Sequence, residues 1–107
     1  MINLFLDGLR PPPDNFILAK DATECSTLIQ NNDINILSLD HDLGETETGY
    51  DLVKWLVESG LEAPEIYPKV IYLHTANPVG RQNMYQLLMR YKPEHVKVHY
   101  GPMPNND

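Results

Sequence analysis

The alternation of short apolar runs with helix-like patterns constrains this chain more than any other feature of its sequence. Three runs, Ile2–Leu6, Ile34–Leu39 and Val70–Leu73, have the length and the apolar content of buried β-strands. Weaker runs of the same kind span Phe16–Ala19 and Val96–His99. Because single helices separate most of these runs, the sequence predicts an α/β fold with a mostly parallel five-stranded sheet covered on both faces.

Capping signals and apolar spacing predict three helices between these strands. Asp21, with a glutamate three residues later, forms a variant capping box that opens the first helix. Thr48 and Asp51 resemble a second capping box, and Gly60 is predicted to end that helix in the left-handed conformation. Asn77, followed by a proline at the first helical position, is predicted to cap the third helix.

The link between the first two strands contains too few residues for an ordinary crossover. It runs from Gly8 to Asn15, and Pro11–Pro13 exclude a helix because proline lacks the backbone N–H and clashes with the preceding turn. A parallel crossover usually needs about a dozen residues, but an extended polyproline segment advances ~3.1 Å per residue. We therefore favour a parallel second strand with a bare, helix-poor crossover over an antiparallel edge strand.

The length of the chain indicates a single domain, and its net charge limits the ligands that it can bind. The 107 residues fit one domain, which we place at residues 1–100, and the Pro- and Asn-rich residues 101–107 are predicted to form a flexible tail. The net charge of −7 disfavours binding to an extended nucleic acid, because the surface repels a phosphate backbone. It does not exclude a small phosphorylated ligand, since a bound divalent cation inverts the local field.

Several features predict a cytoplasmic protein. No apolar run approaches the roughly 18 residues of a membrane span, and the N-terminus lacks the basic and small-residue regions of a signal peptide. Cys25 is the lone cysteine, so the chain cannot form an internal disulfide.

Ionisable and polar side chains follow three of the predicted strands at their carboxyl ends, where open α/β sheets bind ligands. They come from the first, third and fourth strands and from the helix after the fourth: Asp7, Arg10, Asp40, His41, Asp42, His74, Thr75, Asn77, Arg81 and Asn83. The sequence therefore predicts a site at this edge of the sheet.

The acidic residues predict a metal site. Asp40 and Asp42 share one side if the strand stays extended through them, and Asp7 would add a third carboxylate. Without a cation these groups would repel one another, so we expect a divalent ion, Mg²⁺ or Mn²⁺ being favoured. The alternative is that they are solvated carboxylates that cap strand ends.

His41 and His74 are the candidates for proton transfer, because histidine titrates near neutral pH, and Asp40 joins them as a candidate catalytic residue. Each histidine can equally be a hydrogen-bonded structural residue at the rim of the sheet. Neither His95 nor His99 belongs to a motif.

Other residues are candidates for binding a phosphorylated substrate. The helix that begins after Asn77 can hold an anion at its N-terminus, and Arg81 can add a bidentate contact. Arg10 and Asn83 are further candidates, and Tyr50 can stack on a base or sugar. The alternatives are an ordinary Asn-Pro cap and surface arginines that pair with nearby carboxylates.

Four strings of residues resemble the cyclic-phosphate-processing receiver-like domains. They are L-F-L-D-G-L-R-P-P (Leu4–Pro12), S-L-D-H-D-L-G (Ser38–Gly44), T-G-Y-D-L-V-K-W (Thr48–Trp55) and H-T-A-N-P-V-G-R-Q-N-M (His74–Met84). The resemblance covers nearly the whole chain. It implies a receiver-like, flavodoxin-like three-layer domain and an enzymatic action on nucleotide-derived cyclic phosphates.

The resemblance also implies a set of site residues: Asp7, Arg10, Asp40, His41, Asp42, His74, Asn77 and Arg81. Two departures stand out. Family members commonly carry a second acid after the first strand, and this chain has Gly8 there. Receivers place Lys-Pro after the fifth strand, and this chain has Tyr100 followed by Gly-Pro, which argues against conventional phosphorelay signalling.

Three functions remain open at this point. The favoured one is a metal-assisted phosphoesterase (a hydrolase or cyclic phosphodiesterase) that acts on a small nucleotide-derived cyclic phosphate. The second is a non-catalytic receiver-like binding or signalling module. The third is a metal site of the topoisomerase-primase type, which normally begins with Glu and acts on nucleic acid, so the net charge of −7 disfavours it.

Overall fold

A computed structural model of the protein describes residues 1–44 and 46–104. Within these residues the strands are β1 (Ile2–Leu6), β2 (Ile17–Ala19), β3 (Ile34–Leu39), β4 (Val70–Leu73) and β5 (Lys97–His99). The helices are α1 (Ala22–Asn31), α2 (Gly49–Gly60) and α3 (Pro78–Tyr91), and a short 3₁₀ helix, Pro64–Ile66, precedes β4.

The strands form one parallel sheet in the order β2-β1-β3-β4-β5. This is the flavodoxin-like order of doubly wound sheets, and it confirms the predicted α/β, receiver-like fold. Strand β2 pairs parallel to β1, with Leu4 opposite Ile17, so the bare crossover is confirmed and the antiparallel alternative is wrong.

The three helices lie on one face of the sheet, and we call this face the helix face. The steps from β2 to β3, from β3 to β4 and from β4 to β5 all move in the same direction across the sheet. Right-handed crossovers then place α1, α2 and α3 together, and α2 packs against both of its neighbours. The step from β1 to β2 runs the other way, so the Pro11–Pro13 link crosses the opposite face, which we call the link face.

The two faces are buried to different degrees. Strand side chains on the helix face are inaccessible to solvent: Leu4, Leu6, Leu37, Leu39, Ile71 and Leu73. On the link face Phe5 and Ser38 are buried, whereas Ile36, Val70 and Tyr72 are only half-buried. The layer over the link face is therefore extended chain, not helices, because the proline link cannot form a helix and no helix follows β5 among the described residues.

The predicted N-terminal caps form at all three helices, and one prediction for a helix end is wrong. In the capping box of α2, Thr48 N–H donates to Asp51 Oδ2 at 2.7 Å. The Asp21 carboxylate accepts the Glu24 N–H at 2.8 Å, and Asn77 Oδ1 accepts the Gly80 N–H at 2.9 Å. The prediction for Gly60 is wrong, since α2 runs through it without a positive φ. Glycine is required there because a Cβ would lie 2.3 Å from Cε2 of Tyr67. None of the helices in the described part of the chain is long and apolar enough to cross a membrane.

The start of the predicted tail runs beside β4. Leu73 N–H donates to Gly101 C=O at 3.2 Å. Residues 105–107 lie outside the described residues, so the flexible tail stays a prediction there.

Neighbouring residues of β3 provide a test of the unequal layers. Leu37→Ala should lower the free energy of unfolding by about 3 kcal/mol, because the side chain is fully buried under the helices. Ile36→Ala on the link face should cost only about 1 kcal/mol, because its side chain is already partly in water. Urea denaturation of both variants measures the difference, and equal losses would show that both faces are packed to the same degree.

Candidate functional site

A cavity of about 510 Å³ opens at the carboxyl edge of the sheet. Residues that follow β1, β3 and β4 line it together with residues of α3 and the loop before it: Asp7, Arg10, Asp40, Asp42, His74, Thr75 and Arg81. The ladders extend just past the strands, because Asp40 N–H donates to Leu6 C=O and His74 N–H to Leu39 C=O, both at 2.9 Å. Parallel pairing therefore places the first residue after each strand in one row.

Asp7 is the most enclosed acid of the site, with 2% of its side chain exposed. Its Oδ1 accepts the N–H groups of Leu9 and Arg10, each at 2.8 Å, and Oδ2 lies 3.2 Å from Arg10 Nε and 3.1 Å from His74 Nε2. Burial raises the pKa of Asp7, but these hydrogen bonds together outweigh it and leave the pKa below its usual value. Asp7 is therefore a buried, ionised carboxylate with a fixed orientation.

Gly8 stands where the resemblance would place a second acid, and its surroundings leave no room for a side chain. A Cβ on Gly8 would lie 2.3 Å from the backbone oxygen of Leu43. The loop after β3 thus occupies the space that any larger side chain would need, and the site depends on a single acid after β1.

His74 lies between Asp7 and a residue that sequence reasoning did not select, Ser38. The Ser38 hydroxyl is 2.6 Å from His74 Nδ1, and the imidazole stacks on Phe5 with ring centroids 4.2 Å apart. Burial lowers the pKa of His74, and the hydrogen bond to Asp7 offsets this only in part. The imidazole is therefore neutral at pH 7, so Nε2–H donates to Asp7 and Nδ1 accepts the Ser38 hydroxyl proton.

One feature of the sequence could have identified Ser38. It is the single hydroxyl residue in the otherwise mostly apolar β3, two positions before Asp40. Its register partner on β1 is Phe5, so the two side chains share the link face.

Asp7, Asp40 and His74 form the group that can hold a metal ion. Each offers one ligand atom, and these atoms all lie within 4.8 Å of one another. Asp42 lines the same cavity but does not belong to this group, so the predicted trio of Asp7, Asp40 and Asp42 is not the one assembled. The chain bends at His41, whose N–H donates to Asp40 Oδ1 at 2.8 Å, and the extended strand that would place Asp42 beside Asp40 does not continue.

Asp42 instead orients His41. Its Oδ1 lies 2.9 Å from His41 Nδ1 and 3.2 Å from Asn77 Nδ2, and these hydrogen bonds lower the pKa of Asp42. The imidazole rests on the first turn of α3, where a Cβ on Gly80 would lie 2.4 Å from His41 Cγ. The His41 side chain keeps 17% of its surface exposed to solvent, but His41 is not among the residues that line the cavity.

Two guanidinium groups flank the carboxylates. Arg10 Nη2 donates to His74 C=O at 2.9 Å, and 61% of its side chain is exposed. Arg81 donates to Thr75 C=O and lies over the Tyr100 ring at 5.2 Å. Its Nε is buried with no hydrogen-bond partner within residues 1–44 and 46–104. Both predicted arginines are therefore beside the candidate metal group.

Tyr50 and Asn83 do not line this cavity. They border a separate depression of about 210 Å³ between α2 and α3, together with Gln86, Leu87 and Arg90. Asn83 lies more than one turn beyond the N-terminus of α3, and the helical rotation carries it away from the strand ends. The structure thus does not bring these two predicted substrate contacts to the site.

The neutral state of His74 predicts a pH dependence of stability. Below the usual imidazole pKa of 6.5 the unfolded chain binds a proton that the folded protein does not, so stability should fall as the pH is lowered from 7 to 5. His74→Asn should show a smaller fall, whereas His95→Asn, at an exposed position, should behave as wild type. Urea denaturation in EDTA measures this slope, and an unchanged slope in His74→Asn would contradict a neutral buried His74.

Comparison with known families agrees with this geometry. The family described as the cyclic-phosphate processing receiver domain matches residues 2–90, a span that contains both site histidines and all three carboxylates. Neither a curated protein nor a solved structure matches the chain. The sequence match and the receiver-like sheet agree, and the chain belongs to the cyclic-phosphate processing receiver domain family.

Proposed function

We propose that this protein is a metal-assisted phosphoesterase that hydrolyses a small, nucleotide-derived cyclic phosphate. The observation that carries the proposal is the group of Asp7, Asp40 and His74, which opens into a cavity flanked by Arg10 and Arg81. The choice of a cyclic phosphate follows from the description of the family, and the chemistry follows from the side chains of the site.

The donor set fits a divalent ion. Two carboxylates and one imidazole suit Mn²⁺, and with water ligands also Mg²⁺. Ser38 supports the fit, because a metal-binding histidine usually has a hydrogen-bond partner at its other ring nitrogen. If Nε2 held the ion, Nδ1 would carry the proton and would donate it to the Ser38 oxygen. A bound ion would supply positive charge for the phosphate oxygens and would lower the pKa of a water ligand.

The arginines hold the phosphate. Arg10 has an exposed side chain that is anchored at Asp7 and at the His74 backbone, so its guanidinium is held at the rim of the cavity. Arg81 lies on the first turn of α3, where the helix dipole also favours an anion. These two charges offset the carboxylates locally, which lets an anionic substrate approach a protein with a net charge of −7.

His41 is the residue that we assign to proton transfer. Both ring nitrogens of His74 already have partners inside the protein, so His74 serves the metal group. Asp42 and Asn77 both contact Nδ1 of His41, and Nε2 has no hydrogen-bond partner among residues 1–44 and 46–104. In hydrolysis a water oxygen forms the new P–O bond and its proton passes to solvent, while one P–O bond of the ring breaks. His41 donates a proton to the departing oxygen and regains one from solvent.

A receiver-like signalling role lacks comparable support. Phosphorelay receivers need a lysine, followed by proline, after the fifth strand to sense the acyl phosphate, and this chain has Tyr100-Gly101-Pro102 there, without a lysine. Tyr100 instead packs against the Arg81 guanidinium, which lies over its ring, and so helps to hold Arg81 in the site.

The first test of the proposal is metal binding. Mn²⁺ at tenfold its Kd should stabilise the wild-type protein by about 1.4 kcal/mol, or roughly 5 °C in Tm. Asp40→Asn should abolish most of this shift because it removes one ligand, whereas Asp42→Asn should retain it because Asp42 lies outside the group. Thermal melts with Mn²⁺, Mg²⁺ and EDTA measure the shift. If the shift were lost in Asp42→Asn and retained in Asp40→Asn, Asp42 and not Asp40 would hold the metal, and the proposed group would be wrong.

The second test is turnover of 2′,3′-cyclic nucleotides with and without divalent metal. His41→Asn should lower turnover by about 10²–10⁴-fold, the usual range for general acid–base catalysis, and leave the metal-induced Tm shift unchanged. His74→Asn should lower both, and His95→Asn should lower neither. Single-turnover rates and melts on the same samples separate these effects, and full activity in His41→Asn would reject its role.

A further inference from the structure

A second cavity lies on the link face, directly behind the site. Its volume is about 490 Å³, and most of its wall is apolar: Phe5, Pro11, Pro12, Pro13, Pro102 and Met103. The proline link supplies one part of this wall and the segment after β5 supplies another. We call this cavity the proline groove.

The proline groove adjoins the candidate site, because two residues line both cavities. Arg10 and His74 line both cavities. The imidazole of His74 presents Nε2 to Asp7 and stacks on Phe5, so the same ring belongs to the metal group and to the groove. A ligand whose phosphate contacts Arg10 therefore has the groove within reach of its remaining atoms.

The chemistry of the groove fits a flat, uncharged ring. Arg10 is the one charged residue that lines it among the described residues, and a guanidinium binds well to the face of an aromatic ring. Met103 offers a polarisable thioether, which makes favourable contacts with aromatic rings. The three consecutive prolines form a stiff wall that loses little conformational freedom when a ligand binds.

We infer that the proline groove binds the nucleobase of the ligand whose phosphate occupies the neighbouring cavity. The substrate class is then nucleoside cyclic phosphates, and sugar cyclic phosphates without a base bind more weakly. This inference rests on the proposed function, because it places the phosphate at Arg10 and at the metal group.

The test compares two ligands that lack the cyclic ester, adenosine 3′-phosphate, which carries a base, and ribose 3-phosphate, which carries none, by calorimetry with saturating Mn²⁺. Wild-type protein should bind the adenosine compound about tenfold more tightly, the lower part of the range for stacking a base on a protein surface. Pro12→Ala and Met103→Ala should each reduce that preference about threefold and leave ribose 3-phosphate binding unchanged. Met89→Ala removes an equally flexible side chain, 44% exposed on α3, and should change neither affinity.

The possible outcomes distinguish a failure of the base-binding inference from a failure of the proposed function. Equal affinities of wild type for both ligands would overturn the base-binding role and leave the phosphate site intact. No binding of either ligand would overturn the proposed function, and the inference with it. A dimer, detected by light scattering, that dissociates in Met103→Ala without any change in ligand affinity would assign the groove to a second copy of the chain and overturn the inference.

Discussion

The Asp7 carboxylate is held inside the protein by two backbone amides, by the Arg10 guanidinium and by the His74 imidazole. These contacts join the end of β1, the proline link and the end of β4 at one buried negative charge. Removing any partner would leave that charge poorly compensated, which is costly inside a protein. The position of Arg10 at the rim and the orientation of His74 towards Asp40 both depend on it.

The proline link connects the fold to the chemistry. Because Pro11–Pro13 cannot form a helix, the chain leaves β1, caps Asp7 with its amides and crosses the link face in extended form. The same residues then line the proline groove. A helix in this place would have covered the link face and buried the path from the His74 ring to solvent. This restriction of the backbone accounts for the anchored arginine and for the groove. Together with the lack of a helix after β5 among the described residues, it also explains why the helices lie on one face.

The strand ends could be predicted from the sequence, because apolar runs and the acids after them specify both the sheet and its carboxyl edge. The positions of other residues could not be predicted in this way, because they depend on the loops, on the rotation of the helices and on contacts between distant parts of the chain. The bend at His41 moves Asp42 away from Asp40, and the rotation of α3 moves Asn83 to another depression. Ser38 is identified only when the fold brings its hydroxyl to His74 Nδ1, and Gly60 is explained by the close approach of the Tyr67 ring.

Pulsed electron paramagnetic resonance of the Mn²⁺-loaded protein tests the central claim most directly, because it detects a nitrogen ligand at the metal. The structure predicts hyperfine coupling to one histidine nitrogen, which should disappear in His74→Asn and persist in His41→Asn. A protein that binds no Mn²⁺, or that binds it with no nitrogen coupling, would contradict a metal group built from Asp7, Asp40 and His74.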